Sequence, residues 1–426
     1  MIKQTQLKFK LGLTKDEVTP RAGLAVYSEF LRGFGVKGLV DGHMPLPGSN
    51  RGYRAWSFIE PLMLMVYGGG RHIEDLRVVE EDRALRRLVG LKDIPSASTV
   101  GDWLRRMGGG KGLDSLKGVV NATTSKALRL DAKSEYTLWS DPTLIESEKA
   151  DAKMSYKGFK GYKPVITAFK ELPVIAYHEF REGNVTGVAT EALEAAYRVM
   201  PEGKRIKHAS LDSEFYTADV MNFLDGKETT FAIVADKDSA VMEAIKGLKG
   251  WRPFVLEDGT GTDREIAETV HAMNRTEKAF RLIVLRWAKE ATLFEPEMYC
   301  YHAIATSLRG SAWEAVWEYN GRGQVENYIK ELKGGFGMES LPSGDFGANA
   351  FWFALGVLTY NTFVLQKEHL LPEGWRTRTI GTLRWSLIGI AGKVVRTSGQ
   401  LWLKLATTWE KLLLYQQMRK RCMAFG

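Results

Sequence analysis

The sequence predicts an α/β fold: a mixed sheet flanked by helices, interrupted by a β-rich insertion, with helical N-terminal and C-terminal regions. Three observations predict it. Between Tyr136 and Asp236, runs rich in β-branched and aromatic residues alternate with amphipathic ones in the order strand, strand, strand, helix, strand, helix, strand. From Trp251 to Ser307, four more runs alternate apolar and polar residues between polar turns. Before residue 131 and near the C-terminus the apolar spacing is helical. The expected organisation is a helical region over 1–130, an α/β domain over 131–240 and 311–366, an insertion over 241–310 and a helical region over 367–426.

In the N-terminal region, "DEVTPRAGLAVYSEFLRGFGV" and "AWSFIEPLMLMVYGG" read as helices around a Gly/Pro-rich turn. Two further helical stretches flank "GLKDIP", the second capped by Ser96 or Ser98 and containing Trp103. Their outline is that of a helix-turn-helix with Arg105 and Arg106 as DNA contacts, or equally a plain structural corner. "GGGKG" at 108–112 reads as a hinge, since it lacks the spacing of a phosphate loop.

The first strand, "YTLWSD", ends in Asp141, and the fourth, "IKHASLD", ends in Asp212. Sites in such sheets lie beyond strand ends. Asp236 and Asp238 close the fifth strand, and Glu146 and Glu148 follow Asp141; a turn cap or solvated face is the expectation for these four. Lys157, Lys160 and Lys163 form a basic hairpin suited to backbone phosphates or simply to solvent.

"YNGRGQVENYIKELKGG", Tyr319 to Gly335, reads as a helix with a Gly-Gly stop. At 100° per residue, Tyr319, Arg322, Glu326, Lys330 and Lys333 form one stripe and Val325, Ile329, Leu332 and Phe336 another. The apolar stripe seats the helix on a core and places the charged one at its edge. Spacing alone also allows a solvated helix with i,i+4 ion pairs from Arg322 to Glu326 and from Glu326 to Lys330.

These residues resemble the DDE transposases of bacterial insertion sequences. Two strand-end aspartates precede a glutamate on a helix after a β insertion, and Tyr319, Arg322, Glu326 and Lys333 fit their Tyr-Arg-Glu-Lys signature without a gap. "YKGFKGYKPVITAF" and "SLDSEFYTADV" are similar too, so the likeness spans about residues 135–365. Pro142 after Asp141 is less usual. The resemblance implies an RNase H-like catalytic domain in which Asp141, Asp212 and Glu326 hold two Mg²⁺ or Mn²⁺ ions. Such ions suit hydrolysis and transesterification of phosphodiesters without a covalent enzyme intermediate. It further implies cut-and-paste transposition through hairpin ends, double-stranded DNA as partner and a homodimer in the synaptic complex. Tyr319, Arg322 and Lys333 then contact terminal phosphates, with Lys330 a salt-bridge partner first. Trp251 or Trp287 in the insertion would supply an aromatic platform for an unpaired base. A regulator that binds DNA without cutting, and a stand-alone nuclease, are the alternatives.

Composition agrees with this class. The chain of 426 residues has a net charge of +8. Residues 1–130 carry 21 Lys and Arg against 13 Asp and Glu, and residues 334–426 carry 11 against 5, so the excess lies in the flanks around an acidic middle. Basic flanks suit nucleic acid. Two cysteines without metal-ligand spacing, and no secretion signal, lead to the expectation of a bacterial cytoplasmic, nucleoid-associated protein. The apolar run from Ala348 to Gln366 has the length of a membrane span, but Asn349, Asn361 and two threonines point to a buried helix.

Overall fold

The computed structural model describes residues 9–187, 190–289 and 299–425. The first eight residues, Val188 and Ala189 of an expected helix, and Met298 of an expected strand lie outside them.

Nine strands form one sheet: β1 Glu135–Pro142, β2 Val165–Phe169, β3 Ile175–Glu179, β4 Arg205–Leu211, β5 Thr230–Val234, β6 Arg252–Val255, β7 Gly261–His271, β8 Phe280–Ala288 and β9 Tyr299–Thr306. Their spatial order is β6-β7-β8-β9-β5-β4-β1-β2-β3. β1, β2 and β3 pair antiparallel, whereas β4 and β5 run parallel to β1. Parallel neighbours need crossovers, and the helices Glu191–Arg198 and Ala218–Gly226 supply them. This is the arrangement expected of an RNase H-like sheet. The four insertion strands extend the same sheet through β9, which pairs antiparallel with β5.

The register matters most at β1 and β4, where Ser140 stands opposite Leu211. The next residue on each strand is an aspartate, so Asp141 and Asp212 leave the sheet side by side.

Strand β8 departs from the expected alternation and is nearly continuously apolar. Leu282 and Val284 face the main core, and Ile283 and Leu285 face a second cluster with Phe254, Ile304, Val316 and Tyr319 beneath the helix Ala312–Asn320. Both faces are covered, so both sets of side chains are apolar.

The helix Phe346–Leu370 is buried along almost its whole length and runs through the main core. The polar residues that argue against a membrane span are the ones that fasten it. Asn361 accepts from the Ile175 amide at 2.8 Å and donates to the Ile175 carbonyl at 2.9 Å, satisfying the free edge of β3. Tyr27 bonds Thr362 at 2.7 Å, and Tyr67 donates to Gln366. The N-terminal helices thereby share one core with the nine-stranded sheet.

Three local expectations are corrected. Gly108 is no hinge: a Cβ there would lie 2.1 Å from the Gly347 carbonyl carbon, so the pair marks a close helix crossing. The C-terminal region contains a hairpin, Gly392–Thr397 with Gln400–Leu405, besides its helices. Ser398 and Gly399 both take positive φ, as a two-residue hairpin turn requires, and this Ser-Gly signal was there to read. The helix predicted from Tyr319 is broken, with one helix ending at Asn320, another spanning Gly323–Lys330, and a π-helical turn at Glu331–Gly335.

Candidate active site

The break at Gly321 sets the site. Tyr319 closes the first helix with its ring buried in the insertion cluster. Three residues later, Arg322 turns toward the strand ends. Its Nη1 donates to Asp141 Oδ1 at 2.7 Å, and Nη2 lies 4.0 Å from Asp212 Oδ1. One guanidinium thus bridges the two aspartates. Its buried Nε has no acceptor, an uncommon state for a charged donor.

Burial pushes the Asp141 carboxyl up to about 6; Arg322 opposes this, while the charges of Asp212 and Glu326 add to it. Asp212 and Glu326 thus both act on Asp141, and Arg322 ties Asp141 to Asp212. Burial likewise pushes the Tyr319 hydroxyl up to about 12, with Arg322 opposing and both aspartates reinforcing. Glu326 sits exposed in the first turn of its helix. Val325, Ile329, Leu332 and Phe336 are buried, as the apolar stripe requires. Among the described residues, no three His, Cys, Asp or Glu side chains are grouped closely enough to hold a metal ion. Arg322 stands between two of the carboxylates, Asp141 and Asp212.

Lys333, in the π-helical turn, donates to the Leu144 carbonyl at 2.5 Å and reaches Thr143 Oγ1 at 3.5 Å. It ties the signature segment to the turn just past Asp141. Burial lowers its pKa; Glu339 opposes this and the charge of Lys157 adds to it. Lys330 is exposed and makes no ion pair among the described residues, contrary to its expected pairing with Glu326. Both residues are exposed on the helix Gly323–Lys330.

Lys157 and Lys160 are exposed on a small three-stranded sheet formed by Ile145–Glu146, Lys160–Tyr162 and Lys153–Met154. Lys163 is different: it is buried and paired with Glu214, which also takes Arg181 at 3.3 Å. Glu214 lies two residues past Asp212, so this pair of cations anchors the loop that carries the second aspartate. Nothing in the spacing singled Glu214 out. Asp238 caps the helix Ser239–Lys246 by accepting from Val241 at 2.8 Å, while burial, then Asp238 and Asp212, raise Asp236.

In the insertion, Arg264 lies 4.9 Å over Trp287, and Arg286 lies 4.1 Å over Trp251 and 4.5 Å over Tyr299. His302 was missed; its ring is 5.8 Å from Tyr319, and burial, then Arg264, Lys237 and Arg322, push it down to about 4. On the N-terminal helix Ala97–Gly108, Ser96 provides the cap, and Trp103 stacks 4.4 Å from Phe58. Arg105 is exposed and paired with Asp102, and Arg106 is also exposed.

Residues 6–424 match the family model described as Transposase DDE domain group 1. No curated protein matches the chain. Among solved structures, a piggyBac transposase synaptic complex with hairpin DNA, determined by cryo-EM, is similar at a TM-score of 0.46 and 10% identity. The likeness covers 96% of this chain and 84% of that one.

Proposed function

The chain belongs to the DDE transposase family, group 1, and from that premise we propose that it cuts the ends of a mobile DNA element and joins them to target DNA. The observation that carries this reading is the Arg322 guanidinium set between two strand-end aspartates, with Glu326 acting on the same carboxyl. A catalytic site for phosphodiesters needs clustered carboxylates and a planar, forked cation beside them.

The donor set fits a hard divalent cation, because it is all oxygen and Asp141 already bears the field of two other carboxylates. Asp141, Asp212 and Glu326 would hold Mg²⁺ or Mn²⁺, two ions in the full arrangement, which supply activation of the attacking oxygen and stabilisation of the leaving one. Arg322 holds Asp141 ionised until DNA arrives. A phosphate oxygen then gives its Nε the missing acceptor and draws the guanidinium off Asp141, exposing the carboxylates. Lys333 fixes the turn after Asp141 while this happens. The attacking group is a water or a DNA 3′-hydroxyl, and a hairpin end forms when that hydroxyl attacks the opposite strand. Two copies hold two ends, and the protein works in the bacterial cytoplasm at the nucleoid.

The test is Mg²⁺-dependent cleavage of a labelled duplex carrying the repeats that flank the gene. Glu326→Gln is expected to abolish nicked and hairpin products while leaving binding to that duplex intact. Binding without cleavage by the unaltered protein, in Mg²⁺ and in Mn²⁺, would favour a DNA-binding regulator instead.

A further inference from the structure

The small sheet beside Asp141 carries a feature that neither its folding nor the carboxylate chemistry uses. Its tip is the turn Ser155–Phe159, closed by bonds from the Ser155 amide to the Phe159 carbonyl at 2.8 Å and from the Gly158 amide to the Ser155 carbonyl at 3.0 Å. Gly158, at φ +84°, does the turning. Tyr156 is therefore not required by the turn, yet it stands there 70% exposed, with Met154 55% exposed nearby on the same flap. An aromatic ring of that size left in water at a turn tip is an unspent contact surface.

Its surroundings are cationic. Between Ser147 and Lys163 there are five lysines against Glu148 and Asp151, and Asp151 is engaged by the Tyr162 hydroxyl. The Lys163 ammonium lies 5.3 Å from the Tyr156 ring centroid and that of Lys157 5.9 Å. Both lysines lead back to the catalytic carboxylates. Lys163 binds Glu214, two residues past Asp212, and the charge of Lys157 is felt at Lys333, which holds the turn after Asp141.

The flap is firmly mounted. A Cβ at Gly161 would lie 2.2 Å from the Ile145 carbonyl oxygen, and one at Gly183 would lie 2.6 Å from that of Gly161, so three backbone segments meet without side chains between them. Asn349 of the long buried helix donates to the Tyr162 hydroxyl at 3.5 Å. A rigid aromatic with adjacent cations is the composition that takes single-stranded nucleic acid, since a base in an intact duplex offers no free face.

We propose that the Ser155–Phe159 turn binds an unpaired nucleotide of DNA, with Tyr156 stacking on its base and Lys157 contacting its phosphate. The inference rests on the DNA-cutting reading, and it assigns the unpaired strand to this flap rather than to the tryptophans of the insertion. Trp251 and Trp287 are each half-buried beneath an arginine, whereas the Tyr156 ring stands largely in water.

Fluorescence anisotropy of the full chain, with a labelled short oligothymidine and with a labelled blunt duplex, tests it. Tyr156→Ala is expected to weaken oligothymidine binding on the order of tenfold and to leave duplex binding unchanged, while Tyr156→Phe behaves as the unaltered protein. Equal weakening on both probes, or none on oligothymidine, overturns the flap assignment and leaves the DNA-cutting reading standing. Failure of the unaltered protein to bind either DNA removes both.

Discussion

The two halves of the sheet share a pleat but not an environment. In the half from β3 to β5, strand residues are mostly buried on both faces, and several polar ones are partnered in place: Ser140 with Thr167 at 2.7 Å, and His208 with Thr230 at 2.9 Å and Ser210 at 3.1 Å. In the half from β6 to β9, the edge is partly in water, Val270 is exposed, and arginines lie across tryptophan and tyrosine rings. A charge at the end of a strand in the first half cannot be left to solvent, so it perturbs its neighbours or is neutralised by them. In the second half, arginines are satisfied by rings and by carboxylates, as Arg286 is by Trp251 and Glu265. The carboxylates of the proposed chemistry stand at the strand ends of the first environment, and the ring-bound arginines lie in the second. Tyr319 and Arg322, three residues apart, join the two.

The comparison would break first at Arg322. Arg322→Ala leaves Asp141 with burial and two like charges and no opposing cation, and strand cleavage is expected to fall about 10²–10³-fold. Arg322→Lys should recover part of it, because a point charge cannot bridge two carboxylates as a fork does. A cleavage rate within twofold of the unaltered protein in Arg322→Ala would mean the bridge has no part in catalysis.

A second test sharpens the buried half by pH. His178 on β3 is fully enclosed beside Phe353, its Nε2 has no partner, and burial pushes it down to about 3. The unfolded chain takes up this proton near pH 6.5, but the folded chain does not until about pH 3. Stability is therefore lost as pH falls through that window, by about 3 kcal/mol at pH 4. His178→Leu should remove this loss, so urea unfolding at pH 4 and pH 7 should show the variant gaining on the unaltered protein only at pH 4. An equal difference at both pH values would assign the effect to packing.

The smallest effect belongs to the insertion. Arg286 lies over Trp251 and Tyr299 and pairs with Glu265 at 2.8 Å. Arg286→Ala is expected to cost about 1–2 kcal/mol by thermal unfolding, with cleavage unchanged. A cleavage defect at unchanged stability would give the insertion a part in the reaction.

Much of this was legible. The order of strands and helices, both strand-end aspartates, the buried face of Val325, Ile329 and Leu332, and the caps at Ser96 and Asp238 follow from local pattern, because periodicity and turn chemistry act over a few residues. The bridge from Arg322 to Asp141 did not, since it joins positions 181 residues apart. Periodicity places a residue on a face; it does not say what meets that face. The same limit hid the burial of Lys163 with Glu214, where a basic hairpin was expected to point outward. The break at Gly321 was missed because the stripe treats the helix as continuous, while the tertiary structure rewards a turn that aims one guanidinium at two strands.

The helix Phe346–Leu370 has a consequence for how the chain is made. It is among the last large elements to leave the ribosome, yet it fills the centre against which the first helices and the sheet pack. Asp141 and Asp212 are synthesised well before their support exists. Until residue 370 emerges, the N-terminal helices and β3 lack the long helix that covers part of their apolar faces, and such faces are prone to aggregate. Synthesis must therefore either be quick over its last third or be attended by a chaperone, and a chain that stops before this helix yields no miniature enzyme.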